Sequence, residues 1–257
     1  RLGLPGRPPL PLFNNYTDYI APWFLVIAVI GALRRRRKTG RGMYLDQSQL
    51  EAGISFLGPV ALDYFVNGRV ATRDGNRDPY RAPHGIYPTK TPDRWVAVSV
   101  TTQEQWQAFC QAIGAPAWTS EGRFRTLTDR KAHEDDLDKL VSEWTAGHTA
   151  EEIMTTLQAV KIPAGVVQTA EDLFNDPQLA HREHFQWLEH PVMGRHSYHS
   201  PAYRLSETPA VLTSAGPALG QHNEYVYREI LGYSDDEVAD MLIEGVITTD
   251  ADVPSFG

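Results

Sequence analysis

Residues 16–52 read YTDYIAPWFLVIAVIGALRRRRKTGRGMYLDQSQLEA. The middle of this stretch, Ile20–Leu33, is apolar on every side of a helix. Its 14 residues fall short of the roughly 20 that a bilayer requires. A helix apolar all round is the pattern of one enclosed by a larger protein, so a buried helix is expected here, with no membrane. The cations Arg34 to Lys38 then occupy its last turn, opposite the negative end of the helix dipole. Gly40 and Gly42 supply the stop. Downstream, Asp46-Gln47-Ser48-Gln49 reads as an N-cap with Gln at N3, a capping box. Leu50, Ile54, Leu57, Ala61 and Phe65 follow at helical spacing, predicting one helix that ends at Asn67-Gly68.

Outward from there the pattern changes. Residues 69–85 are polar and rich in Gly, Pro and Arg, reading as a linker or a functional loop. Ile86–Thr89, a Thr-Pro-Asp turn at 91–93 and Trp95–Val100 predict a β-hairpin. Helices are expected over Glu104–Ile113, stopped by Gly114, and over Arg130–Trp144. Thr149 and Glu152 form a capping box that opens a helix to Val160, with Ile153, Leu157 and Val160 on one face. A short strand at Ile162–Gln168 and a short helix at Ala170–Phe174 complete a compact α+β region over 86–185. Residues 186–213 alternate weakly, as strands do, for example from Tyr198 to Leu205. Helices follow at Gln221–Leu231, stopped by Gly232, and at Asp235–Glu244, with a Ser234/Glu237 capping box and Gly245 as the stop. The tail 248–257 is expected to fray.

Composition narrows the class. Hydrophobic residues make up 42% and charged residues 22%, which excludes disorder and coiled coil as the whole answer. The single cysteine, Cys110, excludes a disulfide framework and a cysteine-based zinc site, and fits a reducing, cytoplasmic compartment. A net charge of −8 is no nucleic-acid footprint, although residues 1–45 carry +7 and the remainder −15. The chain starts at Arg1, has its first methionine at Met43, and opens on a Pro/Gly-rich segment without the apolar core of a signal peptide. It reads as a piece of a longer protein.

Few residues carry chemistry by pattern alone. His181, His184, His190, His196 and His199 are close in sequence, but none stands in a His-Glu-x-x-His arrangement, so no metal site is expected. Neither a phosphate-binding glycine loop nor a GxSxG elbow is present. Cys110 lies within an amphipathic helix and reads as a buried small hydrophobe. Asp18 is the one carboxylate in residues 1–45 and immediately precedes the apolar helix. It is either a helix cap, worth about 1 kcal/mol, or a carboxylate nucleophile. The latter needs no general base because it is already ionised. Its aromatic and apolar neighbours predict partial desolvation.

A resemblance joins these features. Asp18-Tyr19, the apolar helix, Lys38-Thr39-Gly40-Arg41-Gly42 and Leu45-Asp46-Gln47-Ser48-Gln49-Leu50-Glu51-Ala52 resemble the family III CoA-transferases, also called the CaiB/BaiF family. The family includes formyl-CoA transferase and carnitine CoA-transferase. The spacing of 22 residues from Asp18 to Gly40 fits, as do Gly85-Ile-Tyr-Pro-Thr89 and Val98-Ser-Val-Thr-Thr-Gln-Glu-Gln-Trp106. Ile162-Pro-Ala-Gly-Val166, Asn175-Asp-Pro-Gln178 and Leu219-Gly-Gln-His222 fit too, so the resemblance runs from about residue 5 to 247.

The resemblance implies an α/β fold: the remnant of a large Rossmann-like domain at 1–70, a linker at 71–85, a small α+β domain at 86–185, and a return segment to the large domain at 186–257. The family's N-terminal Rossmann-like part, with most CoA contacts, has no counterpart here. The complete protein would be a homodimer of interlocked chains. Its substrates would be an acyl-CoA and a carboxylic acid, with coenzyme A as the group transferred and no tightly bound cofactor. Asp18 would be the nucleophile. Arg36 and Arg37 are candidates for a CoA phosphate, or simply a solvated helix end. Gly75 and Gly85 mark a candidate substrate loop that shields the intermediate from water, or a plain linker. The same fold serves α-methylacyl-CoA racemases, which need an acid and a base on opposite faces. A Glu-Pro pair is expected there after the strand, where this chain has Thr101-Thr102-Gln103. A third reading is a non-catalytic fragment or subunit that completes a partner chain.

Overall fold

A computed structural model describes residues 3–8, 10 and 15–249. Most of the tail expected to fray, residues 250–257, lies outside the described residues. The chain forms two compact units, residues 1–167 and 168–257.

The first unit begins with α1, Tyr16–Thr39, which ends where Gly40 takes φ 69° and donates its N–H to the Arg36 carbonyl. The expected stop is therefore in place, with Arg36, Arg37 and Lys38 in the last turn. The expected burial is not. Only Ala21 is buried, and Trp23 and Ile27 are 69% and 70% exposed. The contacts of α1 explain this: α2 packs beside its first turns, and most of its apolar surface is left exposed among the described residues. The helix is also longer than the 14 apolar residues suggested. At 24 residues it is long and apolar enough to cross a membrane by length and composition, a property that core helices share.

The single helix expected to run to Asn67 is two: α2, Gln49–Phe56, and α3, Gly58–Asn67. Pro59, at the second position of α3, has no N–H to continue the ladder of α2 and disfavours helical backbone before it. The cap also differs. Ser48, not Asp46, accepts the Glu51 N–H at 3.2 Å. Residues 68–83 form no helix or strand, apart from a bridge between Asp78 and Arg81.

The hairpin is as expected. Strands β1 (His84–Pro88) and β2 (Trp95–Ser99) pair antiparallel with Tyr87 opposite Val96. Strand β3 (Ala164–Val166) pairs antiparallel on the other side of β2, giving the order β1-β2-β3. Helices α4 (Gln103–Ala112), α5 (Leu127–Ala132), α6 (Glu134–Thr145) and α7 (Ala150–Ala159) share one core with this sheet. The helix expected over 130–144 thus breaks at His133, whose φ of −119° is not helical. Phe109, Leu137 and Leu157 are fully buried, each worth about 1.5–3 kcal/mol relative to exposure. Arg130 is buried among them. It donates from Nε to the Ala82 carbonyl at 2.9 Å and lies 4.6 Å over the Trp106 ring.

The second unit holds α8 (Ala170–Phe174), α9 (Pro177–His181) and a hairpin of β4 (Phe185–His190) with β5 (Gly194–His199). The strand expected from Tyr198 to Leu205 therefore ends at His199. The helix expected over 221–231 has π geometry at Tyr225–Ile230 and stops at Gly232. Helix α10, Asp235–Ile243, carries the expected Ser234/Glu237 box.

Candidate active site

Asp18 lies in the first turn of α1 and is not its cap. Asn15 precedes the helix without a side-chain cap bond, and the Asp18 N–H donates to the Asn15 carbonyl at 3.0 Å. Pro22, four residues on, has no N–H for the Asp18 carbonyl. Helix α2 is drawn against this turn by Gly53. A Cβ there would stand 2.9 Å from Thr17 Cγ2. Tyr16 closes the contact: its ring meets Phe56 edge-on at 6.1 Å and its hydroxyl donates to the Gly53 carbonyl at 3.5 Å.

With Ser48 as cap, the glutamines on either side of it are free to reach α1. Gln49 Nε2 donates to Asp18 Oδ1, and Gln47 Nε2 donates to the Ala21 carbonyl at 2.7 Å. Together with Asp18, Ala21, Pro22 and Leu25 they line a cavity of about 350 Å³. Gln47 Oε1 is buried there without a hydrogen-bond partner among the described residues. Asp18 itself is exposed, not partly desolvated as its neighbours in sequence suggested, because no element among the described residues covers the start of α1 on that side. Sequence reasoning missed Gln49 as a partner of Asp18. Its polar side chain at the start of a helix was consistent with a capping role, and only the packing of α2 on α1 separates the two.

The loop glycines line a separate part of the surface. Gly75 and Gly85 line the same two cavities, of about 580 and 570 Å³, with Arg77 and His84 between them. Gly75 has φ +64°, which favours glycine, and its N–H donates to the Gly3 carbonyl at 3.0 Å. Arg77 ties the loop to α6 through Asp135, Glu134 (3.5 Å) and Asp138 (3.9 Å). The hydrogen bond to Asp135 raises the Arg77 guanidinium above its ordinary value. Tyr87 donates its hydroxyl to Asp138 at 2.8 Å, and burial raises both groups. The Asp18 cavity shares no lining residue with these two.

Arg36 and Arg37 are at the far end of α1, about 27 Å from Asp18 at 1.5 Å per residue. Both are exposed and neither pairs with a carboxylate among the described residues. At the position where a racemase would need its second group, Thr102 caps α4 in a box with Gln105. Cys110 is half-buried, and burial pushes its thiol up to about 11. Of the five clustered histidines, His184 and His199 meet, Nε2 to Nδ1 at 3.1 Å. No group of three or more metal-ligating side chains occurs among the described residues.

Fold and site together define a mixed helix–strand protein with a carboxylate at the head of a long helix. The model of CoA-transferase family III matches residues 1–223. The chain belongs to that family. It is 30% identical to succinyl-CoA–D-citramalate CoA-transferase of Chloroflexus aurantiacus, over 95% of this chain and 61% of the relative. It is 26% identical to succinyl-CoA:glutarate CoA-transferase of Mus musculus, over 95% of this chain and 55% of the relative. The crystal structure of a CaiB/BaiF family protein from Brucella suis shares the fold at TM-score 0.77 and 24% identity, covering 89% of this chain and 58% of that one. The chain thus spans about three fifths of the length of these proteins.

Proposed function

We propose that this chain supplies the nucleophile of a cytoplasmic CoA-transferase, which moves coenzyme A from an acyl-CoA thioester to a carboxylic acid. Asp18 attacks the thioester to give an aspartyl anhydride and the CoA thiolate. The thiolate then attacks the aspartyl carbonyl, and the resulting aspartyl-CoA thioester passes its CoA to the acceptor acid through a second anhydride. The observation that carries this reading is Asp18 at the start of α1, oriented by Gln49 on the wall of a cavity. A carboxylate buried in ion pairs would be a poor nucleophile, and among the described residues Asp18 is tied to a neutral amide.

The names of the relatives, which transfer CoA among succinate, citramalate and glutarate, support a dicarboxylic acid as substrate. The loop at 71–85, with Gly75 and Gly85, acts as a lid over the intermediate. Arg36 and Arg37 meet CoA phosphates. The Asp18 cavity and the loop cavities are complementary parts of one site, brought together in the complete dimer of interlocked chains, where 1–70 and 186–257 belong to the large domain and 86–185 to the small one. The racemase alternative lacks its second acid–base group at Thr101–Gln103.

Asp18→Asn in the full-length chain tests the reading. Asn preserves shape and its Oδ1 still accepts the Gln49 amide, so a structural Asp18 would leave transfer intact. A nucleophile would lose it. Retention of a tenth of wild-type turnover, a loss of only about 1.4 kcal/mol, would rule covalent catalysis by Asp18 out.

A further inference from the structure

Gln49 begins α2, fixed in place by the Ser48 cap, and its Nε2–H donates to Asp18 Oδ1. We propose that Gln49 is a catalytic residue that holds the negative charge developing on Asp18 Oδ1 whenever the aspartyl carbonyl carbon is attacked. The inference rests on Asp18 as nucleophile.

The atoms divide the labour. In the first step Asp18 Oδ2 attacks the thioester carbon, the carbon–sulfur bond breaks, and CoA leaves as the thiolate. Oδ2 becomes the bridging oxygen of the anhydride and Oδ1 the aspartyl carbonyl oxygen. The thiolate then attacks Cγ, and the π electron pair moves onto Oδ1. Collapse restores the Cγ–Oδ1 double bond, breaks Cγ–Oδ2, and releases the first acid as its carboxylate. The acceptor carboxylate attacks Cγ of the thioester in the same manner, with the thiolate as leaving group and Oδ1 again bearing the charge. That thiolate finally attacks the acceptor's acyl carbon, giving the new acyl-CoA and the free Asp18 carboxylate. No proton is gained or lost in the cycle.

A donor on Oδ1 suits both attacks at Cγ. In the resting carboxylate the charge is shared between two oxygens, whereas in the tetrahedral adduct the charge gained at Cγ is concentrated on Oδ1. The Gln49 hydrogen bond is therefore stronger in the transition state than in the ground state, the condition for acceleration. Two further donors of this corner are engaged elsewhere. The Asp18 N–H is bonded to Asn15, and the Gln47 amide N–H to Ala21.

The test is single-turnover reaction of the full-length protein with succinyl-CoA, quenched with acid and read as the CoA adduct on Asp18 by mass spectrometry. Gln49→Met keeps the side chain's length and removes the donor. The adduct should form roughly a hundredfold more slowly, with KM for succinyl-CoA within about threefold of wild type. A wild-type rate overturns the proposal, including when melting temperature falls, since Gln49 would then only tie α2 to α1. Should Gln49→Met not fold, Gln49→Leu also removes the donor and adds no charge beside Asp18, and the same two outcomes apply. Asp18→Asn separates the layers. An adduct that persists in it, or none on the wild-type protein, sinks the Asp18 reading itself. Loss in Asp18→Asn beside an unimpaired Gln49→Met sinks the Gln49 assignment alone.

Discussion

Asp138 stands between a buried phenol and an acidic helix start. It accepts the Tyr87 hydroxyl at 2.8 Å and lies 3.9 Å from Arg77. Burial raises its carboxyl most, with Glu134 and Asp135 adding to the rise and Tyr87 and Arg77 opposing it. A folded-state value above the unfolded one means that its contribution to stability is complete below the ordinary value of about 3.9. It is lost as pH rises through the raised value. Asp138→Asn still accepts the Tyr87 hydroxyl but does not ionise. Its melting temperature relative to wild type should therefore climb as pH rises above about 4, and a flat difference would show that burial of Asp138 does not govern the balance. Arg36 and Arg37 are a second residue-scale test. If they meet CoA phosphates, changing both to Gln in the full-length enzyme raises KM for acyl-CoA, and the increase shrinks as salt is added. An unchanged KM leaves them as a solvated helix end. The sequence pointed to Asp18 through the order of motifs around it. It could not reveal Gln49 as its partner, because that contact depends on which way α2 packs.

Elements whose ends are set by local chemistry were readable in advance. Thr149 with Glu152 and Ser234 with Glu237 form the boxes their spacing predicts, and Gly40, Gly68, Gly114 and Gly232 stop their helices at positive φ. Thr149→Ala should cost α7 about 1 kcal/mol, measured by denaturant unfolding of the protein. The errors came where a helical period continues through a local break, at Pro59 and His133, and where Ser48 rather than Asp46 took the cap. The α1–α2 contact rests on Gly53. Alanine there gains up to about 1 kcal/mol of helix propensity, but its Cβ would meet Thr17 Cγ2 at 2.9 Å. Overpacking of this kind costs about 1–3 kcal/mol, so the helices separate and Gln49 loses its reach to Asp18. Gly53→Ala should slow transfer, and Thr17→Ser, which removes the colliding methyl, should restore it in the double variant. Independent, additive effects of the two changes would show that the contact is not the cause.

At the scale of the whole molecule, burial is unevenly distributed. The β1–β3 sheet and helices α4–α7 surround a closed apolar core, while α1, α2 and α3 together bury only Ala21, Ala52 and Gly53. Trp23, Ile27, Ile30, Phe65 and Val66 are among the side chains these helices leave in solvent. Contiguous apolar surface of this kind marks a face made for contact. The relatives are longer than this chain, which spans 61% of one and 55% of another, and an enclosing domain would turn α1 into the buried helix that its all-round apolarity describes. Residues 1–257 prepared alone should therefore self-associate in light scattering and bind a hydrophobic dye. In the full-length protein the dye signal should fall and the particles become uniform. A stable, dye-silent monomer of residues 1–257 would refute this account of the surface. Sedimentation of the full-length protein with lipid vesicles would give a different answer, because α1 has the length to cross a bilayer. In that case the exposed face of α1 would be lipid-facing, and the expectation that a protein domain covers it would fall.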